Sequence, residues 1–378
     1  MTIQQLSLIL DDSVGDIKYG PDWAVSNLVE WYQGGTHVPA GNRTTPGFFN
    51  LSFEGTSIAF IGNTPSPTSS QTITISIDGG MPYNSSYDSP PGQQTYVQWY
   101  RSPLLTDGMH TILVDHIDGT ALDIVLITVG PNTPLSNRTI FVDNNDPSIE
   151  YAGHWIEDDS IFRPAILPDG PPVGNSTQTS TTPGDTMTFR FSGTSISVYG
   201  IFEWANIGSI SATYTLDGVT TSQSYLVTAD SPQQTEGDAT NFLFYSINNL
   251  VPEAHTLSMN ITDVVNQAYR LDYLVYSPSF SSLAAIPNLP AAITVTATAT
   301  SLPATTTAAA SATITPKTAN SLRKSAPVAV IIGSALAGAL AVVLFVVLVL
   351  QFRKKRERGW KAVSILTTNQ SAYTDGQA

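Results

Sequence analysis

The side chains that most often carry chemistry are sparse in this chain. It has no cysteine, which excludes a thiol nucleophile, a thiolate metal site and a disulfide framework. Its five histidines show no metal-ligand spacing, and His110 and His255 precede equivalent predicted strands, which favours a shared structural role. The segments Gly55–Ile58 and Gly193–Ile196 superficially resemble a nucleophile elbow, but each continues as a strand where an elbow needs a helix.

Carboxylates are abundant, but their number does not point to an active site. Paired carboxylates of the glycosidase type stay open at this point, because the fold sets their spacing. With 28 acidic residues before position 281, some pairs are inevitable. The sequence therefore predicts no catalytic residue, and the chain is not expected to be an enzyme.

Aromatic residues are better candidates for a binding function. Sugar binding needs an exposed aromatic plane with a few hydrogen-bonding groups beside it. Trp23 and Trp155 occupy matching positions of a repeated segment, which indicates a scaffold role for both. Five other residues lie near predicted loops or strand ends and are the predicted ligand-binding residues: Trp31, Tyr32, Trp99, Tyr100 and Trp204.

Two acidic groups suggest calcium. Asp143 and Asp146, with their counterparts Asp11 and Asp12, could supply the carboxylate oxygens that calcium requires, as could the run Glu157–Asp159. Turn formation and surface solvation are the alternative for all of them. A calcium site at Asp143 and Asp146 is predicted on this basis, and no other cofactor is expected.

Charge is distributed unevenly along the 378 residues. Residues 1–280 hold 7 Lys and Arg against 28 Asp and Glu, whereas residues 351–378 hold 6 against 2. Since nucleic-acid binding needs a basic surface, the large acidic part is not expected to bind nucleic acid.

A duplication organises the first 280 residues. Leu8–Trp23 aligns without gaps on Ile140–Trp155, at an offset of 132 residues. Four further blocks follow in the same order, ending with Leu122 opposite Leu271 at an offset of 149. A slowly growing offset indicates two copies of one domain with loop insertions, which we place at residues 1–131 and 136–280.

Each copy is rich in short strand-like segments. β-Branched and aromatic residues alternate with polar ones and are bounded by Gly, Asn, Asp and Pro. The Asp-Gly pairs at 78–79 and 217–218 suit tight hairpin turns. The sequence therefore predicts an all-β fold made of two tandem β-sandwiches of jelly-roll type.

The second copy carries a family resemblance. Val142–Trp155 (VDNNDPSIEYAGHW) and the later block Phe-x-Phe-x-Gly-Thr-Ser-Ile-x-Val-Tyr-Gly, residues 189–200, resemble the ectodomain of fungal, mainly basidiomycete, single-pass membrane proteins. That family, mostly uncharacterised, has tandem galactose-binding-like sandwiches, a Ser/Thr-rich stalk, one membrane span and a short tail. The first copy departs from the pattern, since Asp11–Gly15 lacks its Asp-Pro. The resemblance implies the fold, and the fold includes both carbohydrate binders and modules without a known ligand.

The C-terminal quarter predicts a membrane anchor. Residues 281–325 are rich in Ser, Thr, Ala and Pro and predict a disordered, O-glycosylated stalk. Ala326–Leu350 is apolar and uncharged over 25 residues, which predicts one transmembrane helix. Within it, Gly333, Ala337 and Ala341 recur every four residues, a spacing that suggests a homodimer through this helix.

The flanks of the predicted span set its orientation. Residues 351–378 form a basic segment and a short disordered tail, and by the positive-inside rule the C-terminus is expected in the cytosol. The basic residues next to the span, which could also bind anionic lipid headgroups, are Arg353, Lys354, Lys355, Arg356 and Arg358.

The part before the span is expected outside the cell or in a lumen, with the chain in the plasma membrane or a membrane of the secretory pathway. Met1–Leu10 lacks the features of a signal peptide, and a start site placed downstream of a missing signal segment is the expected explanation. Six Asn-x-Ser/Thr sequons fit a lumenal history and are the predicted glycosylation sites: Asn42, Asn50, Asn84, Asn137, Asn175 and Asn260.

Together these features predict a single-pass cell-surface glycoprotein whose ectodomain binds glycan or cell-wall polymer. The alternative is a non-catalytic structural or sensor-like surface protein that has no carbohydrate ligand and acts through protein partners.

Overall fold

A computed structural model describes residues 5–28, 30–40, 45–87 and 93–289. All of them belong to one compact unit, Met1–Val295. Their regular structure is β-strand, apart from three single 3₁₀ turns at Tyr32–Gly34, Val173–Asn175 and Leu283–Ala285. The prediction of an all-β fold is confirmed for these residues.

Residues 7–128 contribute eleven strands: β1 Ser7–Asp11, β2 Ile17–Tyr19, β3 Trp23–Ser26, β4 Thr36–Pro39, β5 Gly47–Gly55, β6 Ser57–Gly62, β7 Thr72–Ile77, β8 Tyr83–Ser86, β9 Val97–Arg101, β10 Gly108–Ile117 and β11 Ile124–Thr128. One sheet has the order β2-β5-β10-β7-β8, and β1-β11-β6-β9 pair in another. The strands β3 and β4 form a separate hairpin.

Residues 140–278 contribute ten strands: β12 Ile140–Asp143, β13 Ile149–Ala152, β14 Ile156–Asp158, β15 Thr177–Ser180, β16 Thr186–Glu203, β17 Gly208–Leu216, β18 Val219–Val227, β19 Asp238–Ile247, β20 Glu253–Val265 and β21 Tyr269–Pro278. The 18-residue strand β16 pairs with four other strands of the described part. Its first part pairs with β13 and β20, and its second part pairs with β19 and β21.

The two halves share one pairing scheme. Strand β5 lies between β2 and β10 as the start of β16 lies between β13 and β20, and β11 lies between β1 and β6 as β21 lies between β12 and β16. Repeated hydrogen bonds accompany the repeated strands. The indole N–H groups of Trp23 and Trp155 donate to the carbonyl oxygens of Phe48 and Thr186, at 3.1 and 3.0 Å. Both tryptophans are half-buried, and each is bonded to the first residues of a long strand, Trp23 to β5 and Trp155 to β16.

Alternation of side chains explains the sandwich-like arrangement. In β5, Phe49, Leu51 and Phe53 are buried while Ser52 between them is exposed. The inward-facing side chains of both halves supply one apolar cluster, as alternating strands do when one face is solvated.

The halves are joined by a strand pair. Strand β1 pairs with β11 over its whole length and with β12 at its start, where Ser7 lies opposite Phe141 and Leu8 opposite Ile140. The sheet order therefore runs without a break from β9 through β1 and β12 to β21 and β16. The same backbone hydrogen bonds that build each half also connect the two.

A second apolar cluster covers this joined sheet. The ring of Tyr32, from the turn before β4, lies tilted against Tyr199 and Tyr273 of the second half, with centroids 5.8 and 6.5 Å away. Tyr96 from the first half lies 5.8 Å from Phe162 of the second. The loops of the two halves thus fill the space between them with aromatic rings.

The predicted span at 326–350 and the tail at 351–378 lie outside the described residues, as does the predicted stalk from residue 290 onward. Within the described ranges, no helix combines the length and apolar character that crossing a bilayer requires.

Candidate functional site

Four of the five predicted ligand-binding aromatic residues lie in the interior. Trp31 is 2% exposed and Tyr32 is 4% exposed, because both belong to the cluster between the halves. Trp99 and Tyr100 are 3% and 5% exposed on β9. The expectation that these rings are exposed is wrong, since each packs against strands that are distant in the sequence.

Hydrogen bonds fix two of these buried rings. The indole N–H of Trp99 donates to the carbonyl oxygen of Ala121 at 3.1 Å. The hydroxyl of Tyr100 lies 2.7 Å from that of Tyr83. These contacts satisfy the polar ends of Trp99 and Tyr100, whose faces are closed to a sugar because both rings are buried.

Trp204 differs from the other four because it is only half-buried. It follows the end of β16 and packs edge-on against Phe202, with ring centroids 4.6 Å apart, and against Phe242 at 6.0 Å. Its backbone N–H donates to the carbonyl oxygen of Gly237 at 3.1 Å. Phe202 and Phe242 therefore fix the position of the Trp204 ring, while part of the ring stays exposed to solvent.

A network of charged groups surrounds Glu203, the residue that precedes this tryptophan. Arg270, at the start of β21, donates to Asp158 at 3.1 Å and forms an ion pair with Glu203 at 2.8 Å. The other Glu203 oxygen accepts from the side-chain amide of Asn206 at 2.6 Å. We call Trp204, Glu203, Asn206, Arg270 and Asp158 the Trp204 rim.

The ionisation of the rim follows from its partners. Burial alone would raise the pKa of Asp158, but hydrogen bonds from Ser160 and the charge of Arg270 bring it below its usual value. Asp238, at the start of β19, has a pKa raised by burial. The side chains of Arg270, Asp158 and Glu203 are each about one-fifth exposed. The charged donors and acceptors of the rim therefore still reach solvent at the end of β16, close to Trp204 in the chain.

The sequence pattern predicts Trp204 but not its polar neighbours. Asp158 belongs to an acidic run, and no motif includes Arg270. One signal is present: Arg270 is one of only seven basic residues against 28 acidic ones in the first 280, so a carboxylate partner for it is expected.

The residues of the calcium prediction occupy a turn after β12. Asp146 accepts from the backbone N–H and the hydroxyl of Ser148 at 2.8 and 2.6 Å. Burial raises the pKa of Asp143 to about 6, and at the counterpart position burial and the neighbouring Asp11 raise the pKa of Asp12 to about 8.

The carboxylates of the calcium prediction give one observation in favour of a bound cation and one against it. Buried oxygens of Asp11, Asp12 and Asp272 accept no hydrogen bond from the part of the chain described here. Yet in that same part no three His, Asp or Glu side chains converge as a metal-binding group. Calcium binding stays a prediction, which melting temperatures with calcium and with a chelator would test.

The histidines and serines set aside earlier make structural contacts. His110 and His255 each bond an aspartate through Nδ1 and a backbone carbonyl through Nε2. The hydroxyl of Ser195 donates to the hydroxyl of Ser277 at 2.9 Å, and the hydroxyl oxygens of Ser57 and Ser102 lie 3.2 Å apart. Hydroxyl partners of this kind do not activate a nucleophile.

Sequons within the described residues lie at the surface. Asn84, Asn137 and Asn175 are exposed, while Asn50 and Asn260 are half-buried on strands β5 and β20. Asn42 lies outside the described residues. Glycosylation of all six stays a prediction.

An open groove of about 640 Å³ lies at the opposite end of the second half, where β21 ends. Its lining includes Asn137, Glu253 and Phe280 together with serine hydroxyls. Phe280 is 8% exposed and offers little aromatic surface. The groove therefore lacks the open ring that the Trp204 rim has.

Comparisons with known proteins give partial likenesses. No protein-family model and no curated protein sequence matches the chain. Among solved structures, a xanthan lyase from Paenibacillus aligns with 69% of this chain and 25% of its own, at 14% identity and a TM-score of 0.26. This chain thus spans about a quarter of that enzyme.

Two carbohydrate-binding modules also align. A family 35 module from Clostridium thermocellum is covered over 97% of its length by 32% of this chain, at 12% identity and a TM-score of 0.25. The tandem CBM22-1-CBM22-2 domain of Paenibacillus barcinonensis Xyn10C is covered over 97% by 72% of this chain, at 8% identity and a TM-score of 0.21. Scores this low carry no argument about function, so the case for this chain depends on its own residues.

Proposed function

We propose that this chain is a non-catalytic, single-pass cell-surface protein whose ectodomain, two tandem jelly-roll sandwiches, binds glycan or cell-wall polymer at the Trp204 rim. The duplicated strand order and the duplicated Trp–backbone hydrogen bonds support the tandem assignment. The apolar segment 326–350 and the basic residues after it support an anchor with its C-terminus in the cytosol. The sequons support exposure of the β-rich part to the secretory pathway.

The half-buried ring of Trp204 carries the proposal. A sugar ring has an apolar face that stacks on an aromatic plane and an edge of hydroxyl groups that need donors and acceptors. Trp204 supplies the plane. Glu203, the residue before it in the chain, and Asp158 are both ion-paired with Arg270, and these three residues supply ordered, charged hydrogen-bonding groups. Groups ordered before binding lose less entropy when the ligand arrives.

Comparing two substitutions at Trp204 tests the proposal. The full-length chain is incubated with insoluble cell-wall polysaccharides and, in parallel, with a glycan array. Trp204→Ala is expected to weaken binding about tenfold or more, equivalent to about 1.4 kcal/mol, because the stacking plane is lost. Trp204→Phe keeps a ring and is expected to retain most of the affinity.

Two controls make the result specific. Trp23→Phe alters a half-buried tryptophan far from the rim in sequence and is expected to bind as the unmodified chain does. Equal melting temperatures of the Trp204 variants show that folding is preserved. A folded chain that binds no polysaccharide, or one whose binding ignores Trp204→Ala, would favour the structural or sensor-like alternative with protein partners.

A further inference from the structure

The edge of the second half carries an unusual strand. β18 is nine residues long, and within the described part of the chain it pairs with β17 alone. No charged residue lies between Asp217 and Asp230, and the strand contains no proline. Val219 and Leu226 are 71% and 69% exposed. Unprotected edges of this kind are templates for further strand pairing.

The equivalent edge of the first half is protected. There β8 has only four residues, is preceded by Pro82, and carries the sequon asparagine Asn84. Short length, proline and bulky or charged groups are the usual devices against edge pairing. β9, the edge strand at the end of the joined sheet, ends in the exposed Arg101. One duplicated edge has therefore kept such devices and the other has none of them.

The hairpin geometry shows which backbone groups are open. Leu216 pairs with Val219 across the two-residue turn Asp217–Gly218, whose residues have φ of 49° and 85°. Residues that flank such a turn exchange both backbone hydrogen bonds, and hydrogen-bonded pairs then alternate along the ladder. The backbone N–H and C=O groups that point away from β17 therefore belong to Thr220, Ser222, Ser224 and Leu226.

These four residues are spaced for pairing with themselves. In an antiparallel pair of two β18 strands centred on Gln223, Ser222 faces Ser224 of the second strand and Thr220 faces Leu226, so every open residue forms a hydrogen-bonded pair. Between them, Thr221 faces Tyr225 and Gln223 faces its own copy. The two Asp217 carboxylates lie at opposite ends of this ladder, which avoids like-charge repulsion.

We propose that two copies of this chain associate through antiparallel pairing of their β18 strands, about a two-fold axis at Gln223. The self-complementary edge gives an isologous contact, in which the same surface of both copies meets and closes. The joined sheet of each copy is continued into the other. This contact is independent of the glycan site and of the predicted membrane helix.

A single introduced cysteine tests the proposal, because the natural chain has none. At a non-hydrogen-bonded antiparallel pair the Cα atoms lie about 4.5 Å apart, within the range that a disulfide spans. Purified full-length Gln223→Cys chain at micromolar concentration is mildly oxidised and separated on a non-reducing gel. We expect a disulfide-linked dimer to form at least tenfold faster than with Ser85→Cys, which places the thiol on the protected edge.

A second substitution removes the edge. Proline at Ser224 cannot donate a backbone hydrogen bond, and this N–H points away from β17, so Ser224→Pro is expected to keep the fold and suppress cross-linking of Gln223→Cys about tenfold. Ser222→Lys, combined with Gln223→Cys, places like charges near the two-fold axis and should also suppress cross-linking. This variant replaces Ser224→Pro if the proline lowers the melting temperature.

Two results would overturn the proposal. One is cross-linking of Gln223→Cys no faster than that of Ser85→Cys. The other is cross-linking that persists in a folded chain that also carries Ser222→Lys or Ser224→Pro, since the contact would then not involve the β18 edge.

Discussion

Two histidine–aspartate pairs occupy matching positions in the two halves. His110 Nδ1 lies 2.7 Å from Asp78 and its Nε2 lies 2.6 Å from the carbonyl oxygen of Thr106. His255 repeats the arrangement with Asp217 at 2.6 Å and Val251 at 2.8 Å. Because both ring nitrogens face acceptors, both hydrogen bonds can form together only when the imidazole is protonated, so the arrangement favours its charged form. Each pair thus fastens a hairpin turn to the start of a strand.

The stability from these pairs should depend on pH. Burial alone would lower the pKa of His255, but the bonds to Asp217 and to the Val251 carbonyl, with the charge of Glu253, raise it overall. The pKa of His110 is raised in the same way: burial would lower it, but Asp78, the Thr106 carbonyl and Asp107 raise it overall. A raised pKa means that the stabilisation is complete below about pH 6.5 and is lost as the pH rises through the folded-state value.

Asp217→Asn isolates this effect, because Asn-Gly suits the same turn. We expect the substitution to lower the free energy of unfolding by about 1 kcal/mol at pH 5, and by less as the pH approaches 9. Thermal unfolding at a series of pH values measures this. Asp230→Asn, an exposed change outside the pair, should show no such trend. A difference between Asp217→Asn and the unmodified chain that is constant across pH would contradict the charged-histidine interpretation.

Residue-scale predictions from the sequence succeeded where contacts are local or duplicated and failed where they are distant. The structural role of His110 and His255 followed from their matching positions. The burial of Tyr32 could not be predicted, because the rings that cover it, Tyr199 and Tyr273, belong to the other half. Exposure depends on the whole fold, whereas spacing reports only the neighbours along the chain.

Two glycines control how closely neighbouring strands approach. A Cβ atom on Gly200 of β16 would overlap the carbonyl oxygen of Arg270 on β21, and one on Gly62 of β6 would overlap that of Ala121. The register of β16 and β21 shifts between Tyr199 and Gly200, which marks a bulge at this point. The repeated block that ends in Gly62 and Gly200 thus repeats a steric requirement.

Gly200→Ala is therefore expected to destabilise the chain by about 3 kcal/mol or more, since the clash involves backbone that cannot move aside. The melting temperature of the full-length chain measures the loss. Gly15→Ala is the matched control, because nothing lies within 4 Å of its added methyl group. Similar melting temperatures for the two variants would show that β16 and β21 can separate locally at little cost.

The strands were largely predictable, but their extents were not. Alternating residues marked both faces of β5, and Asp217–Gly218 forms the two-residue hairpin that the sequence predicts. In the first half the strand after Asp78–Gly79 begins only at Tyr83, so the same dipeptide opens a longer connection. Turn residues allow a tight hairpin, while the pairing of the flanking strands decides whether it forms.

At the scale of the whole described part, a polar network joins the halves in addition to their shared apolar clusters. The carbonyl oxygen of Glu30 in the first half accepts hydrogen bonds from Thr240 at 2.9 Å and from the side-chain amide of Asn241 at 2.8 Å. The hydroxyl of Tyr96 also contacts this carbonyl, and Tyr273 donates to Asn241 at 2.6 Å. Duplication was visible in the sequence, but this network was not, since its members are scattered and lack counterparts in the repeat alignment.

The network predicts that disturbing one buried amide loosens both halves. Asn241→Asp preserves the size of the side chain and its tolerance of a positive φ, here 49°, but places an acceptor against the Glu30 carbonyl. We expect a loss of about 3 kcal/mol, or roughly 6–10 °C in melting temperature, because a buried donor is replaced by a charge without a partner.

Asn249→Asp provides the comparison, because Asn249 has a φ of 62° and is exposed, so the same change of charge meets no buried acceptor. Amide hydrogen exchange of the full-length chain distinguishes joint from separate loosening. If the halves share their stability, Asn241→Asp speeds exchange in the loop around Tyr32 as well as in β19 and β21. Faster exchange confined to the second half would show that the network belongs to that half alone, and that the shared sheet between β1 and β12 is what holds the two together.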